Sequence, residues 1–366
     1  MKKLILSLLK YLILPFALLY GFIVFIRNKM YDWNLISSIE FSLPVICVGN
    51  ITVGGTGKSP HIEYLIELLS PYYQMATLSR GYRRYTRGFH IAHAQSDARD
   101  IGDEPFQFKS KYPQITVCVA EERMTAIPLL LQQRPEIDVI LLDDAFQHRT
   151  VRAGLNILLT DYERLYTKDY IMPFGLLRES RSGAKRAEII IVSKCPTDLS
   201  LAESEKISLE IAPAPHQQLF FSTIRYKNCY PLTAFHKAIN NETQILLVTG
   251  IANTLPLLQH LKKEYAQVYQ LEYKDHHYFT YDDLKEMQEA FHHINTENKI
   301  IITTEKDAAR LMLLQEKIIE YQLPFYAQAI TIEILFDKTT LFNHTVTDFI
   351  ESIIPPAVVD EEIVAV

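Results

Sequence analysis

The stretch "LPVICVGNITVGGTGKSPHIEYLIELL", residues 43 to 69, constrains the fold more than any other part of the chain. It opens on a short apolar run with β-branched residues, closes on apolar positions at helical spacing, and joins the two through a glycine-rich turn. A strand that runs through glycines into a helix builds an anion site from backbone, because the first N–H groups of a helix have no partner within it. The usual phosphate-loop pattern, G-x-x-x-x-G-K-[ST], wants a glycine where this chain has Thr52. The physical content of the pattern is kept. Gly54, Gly55 and Gly57 let the turn Gly54-Gly55-Thr56-Gly57 curl with its N–H groups inward, Lys58 supplies a cation, and Ser59 supplies a hydroxyl suited to Mg2+.

Further apolar runs follow without alternation: "QMATLSRGYRR", "EIDVILLDDAFQHR", "LNILLTDY" and "AEIIIVSK". Strands of this kind, separated by helical stretches, indicate a parallel sheet covered on both faces, hence an α/β fold of the P-loop NTPase type. Ligands of such sheets sit beyond the carboxyl ends of the strands. The residues of chemical interest, from Gly57 to Ser59 with Arg80, Asp143 and Asp144, fall there. A second, smaller α/β run begins near Ile245 with "ILLVTGIAN", "YAQVYQLEYKDHH" and "NKIIITTEKDAARL" as strands and "YDDLKEMQEAFHH" as an amphipathic helix. "QLFFSTIRY" and "FYAQAITIEILF" on either side of it are expected to pair as a connector between the lobes.

Each candidate site residue has a chemical reason. Asp143 and Asp144 close an apolar strand, and a carboxylate there, with the Ser59 hydroxyl and phosphate oxygens, suits the hard oxygen shell of Mg2+. Asp103 and Glu104 in "GDEP" are carboxylates available to accept a proton, and His276 or His277 of "YKDHHYF" is available to share it. "SRGYRRYTR" gathers Arg80, Arg83, Arg84 and Arg87 after a strand, a spacing that suits a phosphorylated substrate or an anionic headgroup.

Composition removes several classes. A net charge of -6 argues against broad nucleic-acid binding. Cys47, Cys118, Cys195 and Cys229 are scattered and lack zinc-ligand spacing, so a structural metal is not expected. The N-terminus differs in kind: Lys2 and Lys3 precede an apolar run from Tyr11 to Ile26, which Arg27 and Lys29 close. A helix of that run is about 24 Å long against roughly 30 Å of hydrocarbon, and basic residues flank both ends. An anchor lying in the membrane interface is favoured over a span, and a buried core helix is the third reading.

Taken in order, "VGNITVGGTGKSP", "LSRGYRR", "GDEP", "LLDDAFQHR", "FGLLRES", "DHHYFT" and "TTEKDAARL" resemble the lipid A tetraacyldisaccharide 4'-kinases over nearly the whole chain. The resemblance implies transfer of the γ-phosphate of ATP to the 4'-hydroxyl of an acylated glucosamine disaccharide 1-phosphate. It implies Lys58 and Ser59 at ATP and Mg2+, Asp143 and Asp144 near the metal, and Asp103 paired with His276 as the base. Arg80 joins as a phosphate-binding candidate, while Glu104, Arg123, His148, Arg178 and Glu179 match motif positions and are expected to line the site. Ser59 stands where the family more often has Thr, and Ala145 where Gly is common. The expected division is an anchor helix (1–30), a P-loop nucleotide-binding kinase domain (31–215), a second α/β lobe with connecting strands (216–340) and a C-terminal segment (341–366). The expected location is the cytoplasmic face of the inner membrane of a Gram-negative bacterium, with no obligatory protein partner. A partition-type P-loop ATPase is the alternative, disfavoured because Val53 stands where those proteins carry a lysine; a nucleotide-binding module without catalysis is weaker still.

Overall fold

Successive residues of the strand that feeds the glycine loop point to opposite faces of a sheet, and both faces are apolar. Val45 and Cys47 join one core cluster, Ile46 and Val48 another. The next-door strand repeats this, with Ile140 and Leu142 on the first face and Val139 and Leu141 on the second. Such strands belong in the middle of a covered sheet, which is where the chain puts them. The computed structural model describes residues 2–235 and 237–354, with side chains from residue 12 onward.

The strands in chain order are β1 (Val45–Gly49), β2 (Met75–Ser79), β3 (His90–Ile91), β4 (Thr116–Val119), β5 (Val139–Asp143), β6 (Leu155–Asp161) and β7 (Ile189–Ser193). They continue with β8 (Gln218–Tyr226), β9 (Tyr230–Pro231), β10 (Gln244–Thr249), β11 (Gln267–Glu272), β12 (Lys299–Thr304), β13 (Phe325–Gln328) and β14 (Ile330–Ile334). The larger sheet runs β14-β8-β7-β6-β1-β5-β2-β4-β3 and is parallel except for β14 and β3 at its two edges. The smaller runs β11-β10-β12-β13-β9, with only β9 antiparallel.

Helices cover both faces of the larger sheet. Ile62, Leu65, Ile66 and Leu69 of the loop helix Lys58–Leu69 pack on one face, beside Phe342, Val346 and Ile350 of the helix Thr339–Glu351. Ala126, Ile127 and Leu130 of the helix Arg123–Gln133 cover the other. Each such Leu, Ile or Phe side chain contributes about 1.5–3 kcal/mol when removed from water.

Two runs differ from their expected form. "NKIIITTEKDAARL" is strand only to Thr304, whose Oγ accepts the amide of Asp307 and so caps a helix, Glu305–Leu311. "FYAQAITIEILF" divides into β13, which belongs to the smaller sheet, and β14, which pairs antiparallel with β8 (Ile330 opposite Tyr226). The β8–β14 pair extends the larger sheet beyond β7 and is not a separate ribbon. Of the expected C-terminal segment, residues 355–366 lie outside the described residues.

The N-terminal helix Lys2–Asp32 contains Pro15. Its stretch Leu12–Asp32 has a mean hydropathy of 1.5 and is long and apolar enough to cross a membrane, yet little of it is buried. Leu12, Phe16, Leu18, Leu19, Phe22, Ile23 and Ile26 are exposed, so this is not a core helix. The other side docks on the larger lobe. Gly21 packs against Ile171, Tyr20 Oη donates to the Arg178 carbonyl at 2.9 Å, and Arg149 reaches both the Asn28 carbonyl and Asp32.

Candidate active site

The glycine loop is held from behind. Asn50, buried at the end of β1, donates to Thr56 Oγ1 at 2.9 Å, and Ser193 Oγ at the end of β7 donates to the Thr56 carbonyl at 2.8 Å. Gly57 takes a left-handed conformation (φ 80°) and starts the helix. His61, one turn on, has Nδ1 2.7 Å from the Gly57 carbonyl and Nε2 3.0 Å from Ser222 Oγ of β8. Burial pulls its imidazole down to about 4, so at neutral pH it is uncharged: Nδ1–H donates to Gly57, and Nε2 accepts from Ser222. A Cβ added at Gly54 or Gly55 would meet nothing within 4 Å, so the loop presents bare backbone to open space. Gly54, Gly55 and Lys58 line a cleft of about 1220 Å³, and Ser59 follows Lys58 in the first turn of the helix.

The strand-end aspartates divide the electrostatic work. Asp144, left-handed at φ 48°, has Oδ1 2.9 Å from Arg178 Nη1 and 3.6 Å from Lys58 Nζ. Burial would raise its carboxyl, but Lys58 and Arg178 outweigh burial and hold it below the usual range. Because the left-handed residue is Asp144, Ala145 needs none of the conformational freedom of a glycine. Asp143 is fully buried, and desolvation with the negative charges of Glu104 and Asp144 pushes it up to about 8. Its Oδ1 is buried without a partner. A carboxylate left so short of positive charge fits a divalent cation. Among the described residues no group of three or more His, Cys, Asp or Glu is arranged to hold an ion alone. That suits Mg2+ at a nucleotide, where phosphate oxygens and water supply most of the shell.

The opposite wall is built by both lobes. Gly81 (φ 67°) and Gly102 (φ 92°) lie back to back: a Cβ on Gly102 would sit 3.1 Å from Gly81 Cα, and one on Gly81 would sit 2.7 Å from the Ile101 carbonyl. This close approach brings "SRG" against "GDEP" and sets Asp103 at the first position of the helix Asp103–Lys111. His276 comes from the smaller lobe, on a turn where it is itself left-handed (φ 58°) and its amide donates to the Gly250 carbonyl. Its Nδ1 lies 3.7 Å from Asp103 Oδ2, and both that nitrogen and Asp103 Oδ1 are buried without a hydrogen-bond partner. His277 points elsewhere, with Nε2 2.9 Å from Asp283 and its ring stacked on Tyr273. Of the two histidines, His276 is the one that meets Asp103.

The remaining expected residues also converge. Arg80, Glu104, Arg123, His148, Arg178 and Glu179 all line the cleft. Arg123 is buried, with Nη1 donating to the Ala120 and Glu121 carbonyls. Burial, with Arg123 and Arg80 nearby, draws His148 down to about 4, so it faces the cleft neutral. Glu179 is a hub: its carboxylate accepts from Asn28 of the N-terminal helix, from Gln147, and twice from Arg186. Of the arginine cluster, Arg83 also lines the cleft, whereas Arg84 is spent on Glu121 and on the Gly88 carbonyl.

Several site residues escaped the sequence reading. Tyr20, Arg27 and Asn28 bring the N-terminal helix into the cleft lining. Lys194, at the end of β7, reaches the Gly55 carbonyl and Asp161. Arg310, fully buried, places Nε 3.0 Å from Asp103 Oδ2. It lies in the stretch expected to be strand, so its facing could not be read.

A glycine loop on a central strand, aspartates at the end of the neighbouring strand and a second lobe closing the cleft define a P-loop nucleotide-binding fold, with a carboxylate and a histidine facing each other where the lobes meet. The comparisons narrow this class. Residues 9–350 match the family described as tetraacyldisaccharide-1-P 4'-kinase, and the chain belongs to that family. It is 45% identical to tetraacyldisaccharide 4'-kinase of Bacteroides thetaiotaomicron over 351 residues, covering 92% of each chain. It is also 45% identical to the enzyme of that name from Flavobacterium johnsoniae, over 92% of this chain and 97% of the relative. Among solved structures, LpxK from Aquifex aeolicus in complex with ATP superposes with a TM-score of 0.71 at 25% identity, over 93% of this chain and 99% of that one.

Proposed function

We propose that this chain transfers the γ-phosphate of ATP to the 4'-hydroxyl of tetraacyldisaccharide 1-phosphate, a step of lipid A biosynthesis, with Asp103 as proton acceptor. One observation carries the reading: a single cleft is lined by Gly54, Gly55 and Lys58, by Asp143 and Asp144, by Asp103 and His276, and by Tyr20, Arg27 and Asn28 of an outwardly apolar helix.

The backbone of Gly54 and Gly55 and the Lys58 ammonium bind the phosphates, and Arg178 with Lys58 holds Asp144 ionised beside them. Asp143, Asp144 and Ser59 would hold Mg2+, which when bound neutralises charge developing on the phosphate oxygens. Asp103 Oδ1, buried without a partner, accepts the proton of the 4'-hydroxyl as that oxygen bonds to the γ-phosphorus and the bond to ADP breaks. His276, beside the same carboxylate, steadies the proton there. At 3.7 Å the pair is looser than a hydrogen bond, as is usual before substrate draws such groups together.

The N-terminal helix suits a substrate that stays in the bilayer, since each buried CH2 of its acyl chains is worth about 0.8 kcal/mol. Tyr20 and Arg149 tie the helix to the larger lobe, which supports a reading in which its exposed apolar side meets the membrane on the cytoplasmic face and the cleft opens at headgroup level. The anchor, the P-loop lobe and the second lobe then act as three parts around one cleft.

The test is transfer of radiolabelled γ-phosphate from ATP to tetraacyldisaccharide 1-phosphate in mixed micelles. Label in the lipid for the wild type, lost by about a hundredfold or more in Lys58→Ala and in Asp103→Ala, supports the reading. ATP hydrolysis without labelled lipid refutes it.

A further inference from the structure

Arg310 is fully buried in the smaller lobe, with two of its nitrogens beside three groups: Asp103, the His277 carbonyl and Asp307. Nε lies 3.0 Å from Asp103 Oδ2 of the larger lobe. Nη1 donates to the His277 carbonyl at 3.0 Å and lies 3.3 Å from Asp307 Oδ1. Nη2 is buried without a partner, and Nε, though close to Asp103, is not aimed along a hydrogen bond to it.

The guanidinium is itself anchored. Asp307, one turn earlier on the same helix, accepts from the Gly250 amide at 3.0 Å and from Thr304 Oγ1 at 2.7 Å. Gly250 in turn accepts the amide of His276 at 3.1 Å. One frame, Asp307 to Gly250 to the His276 turn and back through Arg310, therefore fixes the histidine. The same arginine is the fixed charge that the frame presents to Asp103.

A fully desolvated arginine is expensive unless an anion and well-placed acceptors compensate it, and here that anion is the carboxylate proposed as the base. Asp103 has two oxygens. With Oδ2 beside both Arg310 and His276 Nδ1, Oδ1 is left for the incoming hydroxyl. Of the two groups of the smaller lobe beside Oδ2, the arginine is the nearer, at 3.0 Å against 3.7 Å for the histidine.

We propose that Arg310 is a positioning residue for phosphoryl transfer: its fork, braced on the His277 carbonyl and Asp307, orients the Asp103 carboxylate and makes that orientation depend on the docking of the two lobes. The proposal rests on Asp103 as proton acceptor. It assigns Arg310 no contact with ATP or lipid, so its loss acts on turnover and not on binding.

The experiment is a double-mutant cycle on the full-length enzyme in mixed micelles, with Arg310→Met, Asp103→Ala and the pair. Nucleotide affinity, read with a fluorescent ATP analogue, and the melting profile accompany the kinetics. Arg310→Met is expected to lower kcat by about tenfold or more, to leave KM for ATP and analogue affinity within about twofold, and to add nothing in the Asp103→Ala background. Arg310→Lys keeps the charge without the fork and is expected to fall between Arg310→Met and wild type. If Arg310→Met does not fold, Arg310→Lys serves in its place, and its smaller loss of kcat must vanish when Asp103 is Ala. A loss that multiplies with that of Asp103→Ala, or that falls on KM for ATP, overturns the proposal. Unchanged kcat in Asp103→Ala removes the base assignment itself, a different result from either.

Discussion

His61 ties stability to pH through the phosphate loop, and the size of the effect follows from its surroundings. Burial holds its imidazole at about 4, against 6.5 for the free group. A histidine depressed in this way has its full stabilising effect above pH 6.5. Stability falls as the pH drops below that value, because the unfolded chain takes up the proton first, and the loss levels off near pH 4. A gap of about 2.5 units corresponds to about 3 kcal/mol in full, and about 2 kcal/mol of it has been lost by pH 5. His148, drawn down to about 4, adds with the same sign, while Glu63, raised to about 7 by burial, works the other way. The contribution of His61 is isolated by His61→Asn, which does not titrate and still offers an N–H toward the Gly57 carbonyl. Urea unfolding followed by circular dichroism at pH 7.5 and pH 5 is expected to show a loss of stability that is smaller in the variant by about 2 kcal/mol. Equal losses in the two proteins would mean that His61 is not the neutral latch between Gly57 and Ser222, and the reasoning would fail.

Two other outcomes follow from described contacts. Glu179→Ala leaves Arg186, Gln147 and Asn28 without their shared acceptor; a loss of about 3 kcal/mol is expected in unfolding, with much less for Glu179→Gln, and equal effects would show that the charge of the hub is irrelevant. Replacing Leu18 and Leu19 together by Glu on the exposed side of the N-terminal helix is expected to reduce co-sedimentation with phospholipid vesicles about tenfold or more while leaving the melting profile unchanged; undiminished sedimentation would remove that surface from the membrane contact.

What the sequence disclosed follows from what each residue does locally. Strands such as "VICVG" and "VILLD" are legible because burial on both faces leaves unbroken apolar runs, and the glycine loop is legible because backbone geometry demands glycine. Asp103 and His276 are far apart in the chain, and their meeting depends on how the lobes dock, which no local pattern encodes; family resemblance supplied it. Arg310 was hidden by reading "TTEKDAARL" as strand. The spacing of Thr304 and Asp307 was a legible N-cap that would have turned the segment into a helix. His61 looked like one more residue on a helix face, and only the carbonyl one turn back and a serine on β8 give it a task. Glu179 was expected at the cleft, but its role as the joint between the N-terminal helix and Arg186 is a tertiary fact.

The position of β14 has a consequence for biosynthesis. The chain leaves the larger sheet after β8, builds the whole smaller lobe, and only then returns to close the edge with β14 and cover it with Phe342, Val346 and Ile350. On the ribosome, the nucleotide-binding half is therefore unfinished until about Ile350 has been made, long after the N-terminal helix has emerged. Throughout that interval β8 offers an unpaired edge and the neighbouring face its uncovered apolar side chains. From the end of β8 at Tyr226 to β14 at Ile330, that edge and face are the surfaces on which a chaperone can act.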